Sequence, residues 1–452
     1  MNKNKLIFAI IWIIILLLLI FIILNLNKNN NNRNNTNNSW VFKIWMVWDS
    51  VDWTDKIIEN FKKEYPKYKS QEIKIESFAS FDDYYYTLSS AIMSDNAPDI
   101  FVLNNNEKNP IFSSQIIWLD SQIINPNEFR KKYAWVFADD LIVSSWEWTE
   151  KEEFLAWIPV WYETLWIFFN RRYINTDELS SITSLNNKIW ELKKSKPEII
   201  PIWIWNGSTV QYSSDIFTQF LMLEDGVESI NDATWNKLKS WLLAYTLYWD
   251  EKWDNAYNSK FESLKNSSQT SVDLFSKSEI FMIVWYPRLI NTIKEKWFGR
   301  NFLDATFFPY YHSGKWKTLL NYNFFVINKD SIKQDLANNF LWYLSTEKWA
   351  WEYLKNYKYY LPAMLSLESD KLSEKIHDDY NILLSDFYSS ENELLSFDKW
   401  IKNIYDKNII SILDNISSYD RNYEKDFEKF RLSILCKTKK ITTLDDISTN
   451  CD

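Results

Sequence analysis

The feature that most constrains this chain is a shortage: its 452 residues include only 4 Gly but 26 Trp. Average usage would place roughly 32 glycines in a chain of this length, a figure the Trp and Gly counts reach only when taken together. A folded domain needs Gly wherever the backbone takes a positive φ or another backbone comes close. Gly207, Gly226, Gly299 and Gly314 cannot meet that need alone. Tryptophans also stand where helix caps belong. Trp253, Trp297 and Trp349 each follow a Glu-Lys pair, and a basic residue followed by Gly is a helix C-terminus signature. The expectation is that most of these tryptophans are UGA codons that the host decodes as Gly. The alternative, a genuinely Trp-rich surface of the kind that binds sugars, leaves the missing glycines unexplained. UGG codons at Trp161 or Trp285 would exclude the recoding.

Residues Leu6 to Leu24 are 19 consecutive apolar positions, preceded by Lys3 and Lys5. As a helix they would span about 29 Å, the thickness of a bilayer core. The lysines favour a cytoplasmic N-terminus. No small-x-small cleavage site follows, and no Cys stands near to accept lipid, so an uncleaved signal anchor is expected. That gives a cytoplasmic stub at 1–5, a transmembrane segment at 6–24, and a single-pass protein of the cell membrane with its C-terminal domain extracytoplasmic. Residues 25–39, mostly Asn, form a flexible linker that buries nothing.

About 410 residues follow, enough for two or three domains. A net charge of −9 argues against a nucleic-acid partner, which would need a basic stripe. The only cysteines, Cys436 and Cys451, lie in the C-terminal tail at 436–452. A disulfide there would close a loop of about 15 residues, worth about 3 kcal/mol in the chain-entropy model. Two unpaired thiols in a frayed tail are the alternative.

From Val41 onward, strand and helix patterns alternate. Strands are predicted at Val41–Val47, Glu72–Phe78 and Ile100–Leu103, with helices at Thr54–Tyr65 and Phe81–Ser94 between them. This β-α-β-α-β order calls for an α/β fold with a mostly parallel sheet, whose ligands sit beyond the carboxyl ends of the strands. Further strands are predicted at Leu165–Asn170, Ile280–Val284, Ala305–Pro309 and Phe324–Asn328. Helices are predicted at Ser331–Leu344 and Lys348–Tyr357, and packed helices from Ser373 to Leu435, with Ile382, Leu394, Leu395 and Ile401 among the core positions.

With Gly in place of selected tryptophans, Ala156-Trp157-Ile158-Pro159-Val160-Trp161-Tyr162-Glu163-Thr164-Leu165-Trp166-Ile167-Phe168-Phe169-Asn170 resembles the first interdomain crossover of the family 1 extracellular solute-binding proteins. Three more segments agree in order: Ala97-Pro98-Asp99-Ile100-Phe101, Phe281-Met282-Ile283-Val284-Trp285-Tyr286-Pro287, and Leu319 to Leu365 with its Leu361-Pro362-Ala363 turn. The resemblance implies a two-lobed periplasmic-binding-protein-like fold, preceded here by one transmembrane helix. Its lobes are discontinuous: lobe 1 at 40–160 and 306–358, lobe 2 at 161–305 and 359–435, with hinges near Val160, Phe308 and Tyr359. It also implies capture of a small solute, a carbohydrate by preference, by a monomer that delivers it to an ABC permease without catalysis or cofactor. A membrane-anchored cell-wall enzyme, or a sensor or adhesion scaffold on the same fold, are the rival readings.

A solute cleft needs a few fixed polar groups among apolar walls. Asp49 and Ser50 follow the first strand and could accept from ligand hydroxyls. Asn104 and Asn105, with Asn106, follow the third strand and offer donor and acceptor together, although the whole chain is Asn-rich. Tyr162 and Glu163 lie on the crossover. Tyr286 could stack on a pyranose, and Arg288 suits an anionic or polyhydroxy ligand or a structural ion pair. Tyr322 and Asn323 are further candidates. Only His312 and His377 exist, which leaves little material for imidazole-rich metal sites or His-based triads. Ser313-Gly314-Lys315-Trp316-Lys317-Thr318 lacks the first glycine of a phosphate loop, Tyr311 standing there. Asp139-Asp140 and Glu152-Glu153 read as solvated faces.

Overall fold

The computed structural model describes residues 41–47, 51–78, 81–94, 96–105, 112, 114–121, 123–147, 150–204, 207, 210–222, 271–287, 293, 302–309, 317–354, 360–367, 393–395 and 409–413. The expected transmembrane segment, the Asn-rich linker, Trp253, Trp297, both histidines and both cysteines lie outside these residues. Among the described residues no helix is long and apolar enough to cross a membrane. The chain divides into two compact units, 1–100 and 101–452.

The first unit holds β1 (Val41–Val47), α1 (Val51–Glu64), β2 (Glu72–Phe78) and α2 (Phe81–Met93). β1 and β2 pair in parallel, as a strand-helix-strand order requires. α1 buries Thr54, Ile57 and Phe61, and α2 buries Tyr84, Leu88 and Ala91, each set one helical face. Asp99 clasps the start of β1. Its Oδ2 accepts from the Lys43 N–H at 2.8 Å, and its own N–H donates to the Lys43 carbonyl at 2.9 Å. This is the physical role of the acid in the Pro98-Asp99 strand entry.

The second unit opens with β3 (Ile100–Asn104), β4 (Ile116–Ile117), α3 (Pro126–Lys132) and α4 (Trp135–Leu141). A hairpin, β5 (Ile142–Glu147) and β6 (Glu150–Leu155), leads to β7 (Ile158–Glu163) and β8 (Trp166–Asn170). Next come α5 (Ile182–Ser195), β9 (Ile200–Ile202), α6 (Ser213–Met222), α7 (Ser271–Ser276), β10 (Ile280–Trp285) and β11 (Leu303–Phe307). The remainder is β12 (Lys317–Leu319), β13 (Asn321–Asn328), α8 (Gln334–Leu344), α9 (Glu347–Leu354), β14 (Leu361–Pro362) and β15 (Glu393–Leu395).

One sheet of this unit runs β14-β7-β13-β3, with β4 also on β13; a second runs β11-β8-β10-β9. β8, β10 and β13 are buried along their whole length, the pattern of central strands covered on both faces. The chain passes from one sheet to the other at Thr164-Leu165, between β7 and β8.

Several expectations are corrected. The mostly parallel sheet is a mixed one: β1–β2 and β9–β10 are parallel, but β7 is antiparallel to β13 and β14, and β8 to β10 and β11. β7 continues to Glu163, and β14 pairs with it in the first sheet at Leu361–Pro362. A register shift in the β7–β13 ladder, where Asn323 faces Trp161 and Phe324 faces Pro159, makes Val160 a bulge within the sheet. Leu394 and Leu395, expected on a helix, lie in β15, parallel to β12. Trp349 is the third residue of α9 rather than a helix end.

Candidate functional site

The crossover brings together most of the polar residues singled out in the sequence. Alternation along the paired strands β7 and β13 sorts them onto two faces. Tyr162 faces Tyr322 across the ladder, and Glu163 faces Asn321. The adjacent pairs Tyr162-Glu163 and Tyr322-Asn323 therefore point to opposite sides of the sheet and do not form one wall.

On the tyrosine side lies α4. Phe137 packs edge-on against Tyr322 at 5.0 Å and tilted against Tyr162 at 5.8 Å. One turn further, Asp140 accepts from the Tyr322 hydroxyl at 2.6 Å. Asp140 is thus not merely a solvated face. Burial, and then the Asp140 charge and hydrogen bond, hold the Tyr322 hydroxyl well above the ordinary tyrosine range.

The other side carries an amide network. Asn104, the last residue of β3, donates through Nδ2 to Asn321 Oδ1 at 2.7 Å and to Asn323 Oδ1 at 2.8 Å. Asn321 in turn donates to Glu163 Oε1 at 2.8 Å. Asn105 extends the ladder by other means. Its backbone N–H donates to the Tyr322 carbonyl, its side-chain Nδ2 to the Leu320 carbonyl at 3.0 Å, and its Oδ1 accepts from the Tyr322 N–H at 3.0 Å. All of these groups are buried. On the far side of Leu320, the Leu319 N–H donates to Gln219 Oε1 on α6 at 2.9 Å.

At the edge of the second sheet, Tyr286 follows β10 and is fully buried. Its hydroxyl donates to Asp215 Oδ2 in the first turn of α6 at 2.9 Å. Trp285 faces Trp166, and Trp166 faces Phe307 on its other side, an aromatic row across three strands. The indole N–H groups of Trp166 and Trp285 are buried with no hydrogen-bond partner, as is the Thr164 hydroxyl. Trp161 differs: its N–H donates to the Tyr353 hydroxyl at 2.9 Å, and its ring stacks on Tyr360 at 3.7 Å.

Of the predicted residues, Asn104, Asn105, Tyr162, Glu163, Tyr322 and Asn323 gather around the crossover, and Tyr286 lies at the second sheet. Asp49, Ser50 and Arg288 lie outside the described residues. Asn321, Asp140, Asp215 and Tyr212 were missed by sequence reasoning. The printed Asn321-Tyr322-Asn323 alternation was a signal for the first of these; the others carry none. Among the described residues, no group of three His, Cys, Asp or Glu is placed to hold a metal ion. A surface groove of about 450 Å³ beside β4, lined by Trp118, Asp120 and Phe154, includes none of the predicted site residues.

This arrangement is the α/β fold of the periplasmic-binding-protein class. The ABC substrate-binding protein Lmo0181 of Listeria monocytogenes, solved with cycloalternan, superposes with a TM-score of 0.61 at 16% identity, covering 88% of this chain and 99% of that one. The cyclic α-maltosyl-1,6-maltose binding protein of Arthrobacter globiformis gives 0.64 at 12% identity over 88% and 99%. An extracellular solute-binding protein of Staphylococcus aureus, solved with maltose, gives 0.59 at 13% identity over 89% and 99%. No protein-family model matches the chain, and no curated protein matches its sequence.

Proposed function

We propose that this chain is a membrane-anchored extracytoplasmic solute-binding protein that captures a small carbohydrate and presents it to an ABC permease. The observation that carries this reading is the fold, shared over most of the chain with proteins solved in complex with cycloalternan and maltose. Closure would follow population-shift logic: the solute gains contacts only in the closed form and so draws the equilibrium toward it. The role is capture without turnover. Isothermal titration with maltose, tagatose and acarbose tests it, with saturable heat and an unchanged sugar as the expected result. Turnover of the sugar, or no binding across the panel, would remove the reading. The anchor formed by Leu6 to Leu24 is tested separately, by the protein remaining in the membrane fraction after alkaline washing.

The same proposal takes most printed tryptophans as Gly in the protein that the host makes. Three observations support it: the Gly shortage, the acceptorless buried indoles of Trp166 and Trp285, and the resemblance that emerges once Gly is written at the crossover. Gly207 illustrates the need, since a Cβ there would run into the carbonyl oxygen of Ile410. Peptide mass mapping of native protein would read Gly or Trp at each position.

A further inference from the structure

We propose that Tyr212 is the aromatic residue that stacks on the sugar ring at the second sheet, a role the sequence had suggested for Tyr286. The proposal rests on the carbohydrate-binding reading above.

Tyr286 is fully buried and its hydroxyl is engaged by Asp215, so its ring is a support rather than a contact surface. Tyr212 packs edge-on against that support, with ring centroids 5.0 Å apart and planes at 81°. Unlike Tyr286, Tyr212 is half-exposed. It stands just ahead of α6, in the segment beyond the end of β9, and against the residue that follows β10. β9 and β10 are parallel, and ligands of open α/β sheets gather beyond the carboxyl ends of such strands.

The backbone at Tyr212 breaks two local rules. Its φ is 63°, the left-handed region that bulky side chains avoid. Its carbonyl accepts from the Ile216 N–H, so it occupies the N-cap of α6, where Ser, Thr, Asp or Asn would be expected. Gly or Asn would suit this position at less cost. Departures of this kind persist where the surroundings over-determine them, and they concentrate at functional sites. A Tyr ring offers a broad apolar face with little side-chain entropy to lose, which suits the C–H face of a pyranose. Asp215 then acts as a positioning residue: it holds Tyr286, which holds Tyr212.

The test uses the full chain in detergent, with Gly at any UGA codon, titrated with maltose, tagatose and acarbose. Tyr212→Ala is expected to weaken the bound sugar roughly tenfold, while Tyr212→Phe keeps wild-type affinity. Tyr212→Gly should lose the same affinity while raising Tm, because it relieves the strained φ; it carries the test if the Ala variant does not fold. Wild-type affinity in both the Ala and Gly variants would overturn the assignment and leave the solute-binding reading intact. Absence of binding by the wild type to all three sugars would overturn both.

Discussion

At the end of the first sheet, four buried polar side chains are joined by hydrogen bonds in which each amide donor that the network uses finds an oxygen: Asn104, Asn321, Asn323 and Glu163. At the corresponding edge of the second sheet, Trp166 and Trp285 face each other and bury N–H groups that meet no acceptor. Both regions are buried, so desolvation presses on both. The difference lies in the donors: the Asn104 and Asn321 amides reach oxygens, and the two indole N–H groups do not. Folded chains rarely leave buried donors orphaned, and here two of them fall on one cross-strand pair of printed tryptophans. A buried indole need not be orphaned, because the Trp161 N–H finds the Tyr353 hydroxyl.

The sharpest way to break this contrast is to write Gly at both mismatched positions. Large-to-small core changes ordinarily cost about 3–5 kcal/mol at each site. For Trp166→Gly with Trp285→Gly we expect the opposite sign, a higher urea midpoint than the printed chain. A loss of the ordinary size would mean the indoles are native. At the first sheet, Asn104→Ala removes the donor to two buried carbonyl oxygens and should cost about 3 kcal/mol by urea unfolding. A cost below about 1 kcal/mol would show the network to be slack.

Smaller effects refine the picture. Tyr322→Phe removes one hydrogen bond to Asp140 and should cost about 1 kcal/mol. Because burial and then Asp140 raise the Tyr322 ionisation, the unfolded chain releases that proton first as pH climbs past about 10. Stability should therefore fall above that pH, and fall less in Tyr322→Phe, as thermal melts between pH 9 and pH 11 would show. Smallest is the charge cluster around Lys188 of α5, which pairs with Glu178 and Glu191. Burial pushes Glu178 upward, but the Asn175 N–H and Lys188 outweigh it and lower its ionisation; burial lowers Lys188, yet Glu178 and Glu191 raise it overall. Its contribution should be lost as pH falls through the depressed Glu178 value and as it rises through the elevated Lys188 value. With Glu178 a third exposed, Glu178→Gln should cost less than about 1 kcal/mol at neutral pH.

Much of this architecture was legible in the residues. β1 and β2 begin and end where alternation and turn residues placed them, and α1 follows its Ile57 and Phe61 stripe. Local pattern says less about which strands meet. Antiparallel pairing of β7 with β13 joins residues more than 150 positions apart, and no periodicity reports that. The start of β13 was missed because Asn321 and Asn323 are poor strand formers by propensity; their place is secured by Asn104 and Glu163, a tertiary effect. The candidate site was legible in residue type and not in direction. Tyr162 and Glu163 are neighbours in sequence, and for that very reason they look out from opposite faces. Tyr212 was invisible because its interest lies in a dihedral angle.

Asn105 carries a consequence for how this scaffold can vary. Its side-chain amide imitates one more peptide unit beside β13, so hydrogen bonding outlasts the strand itself by a residue. Those closing bonds belong to Asn105 itself, so relatives that keep this residue would keep the finished edge of the ladder whatever length or sequence they carry after it.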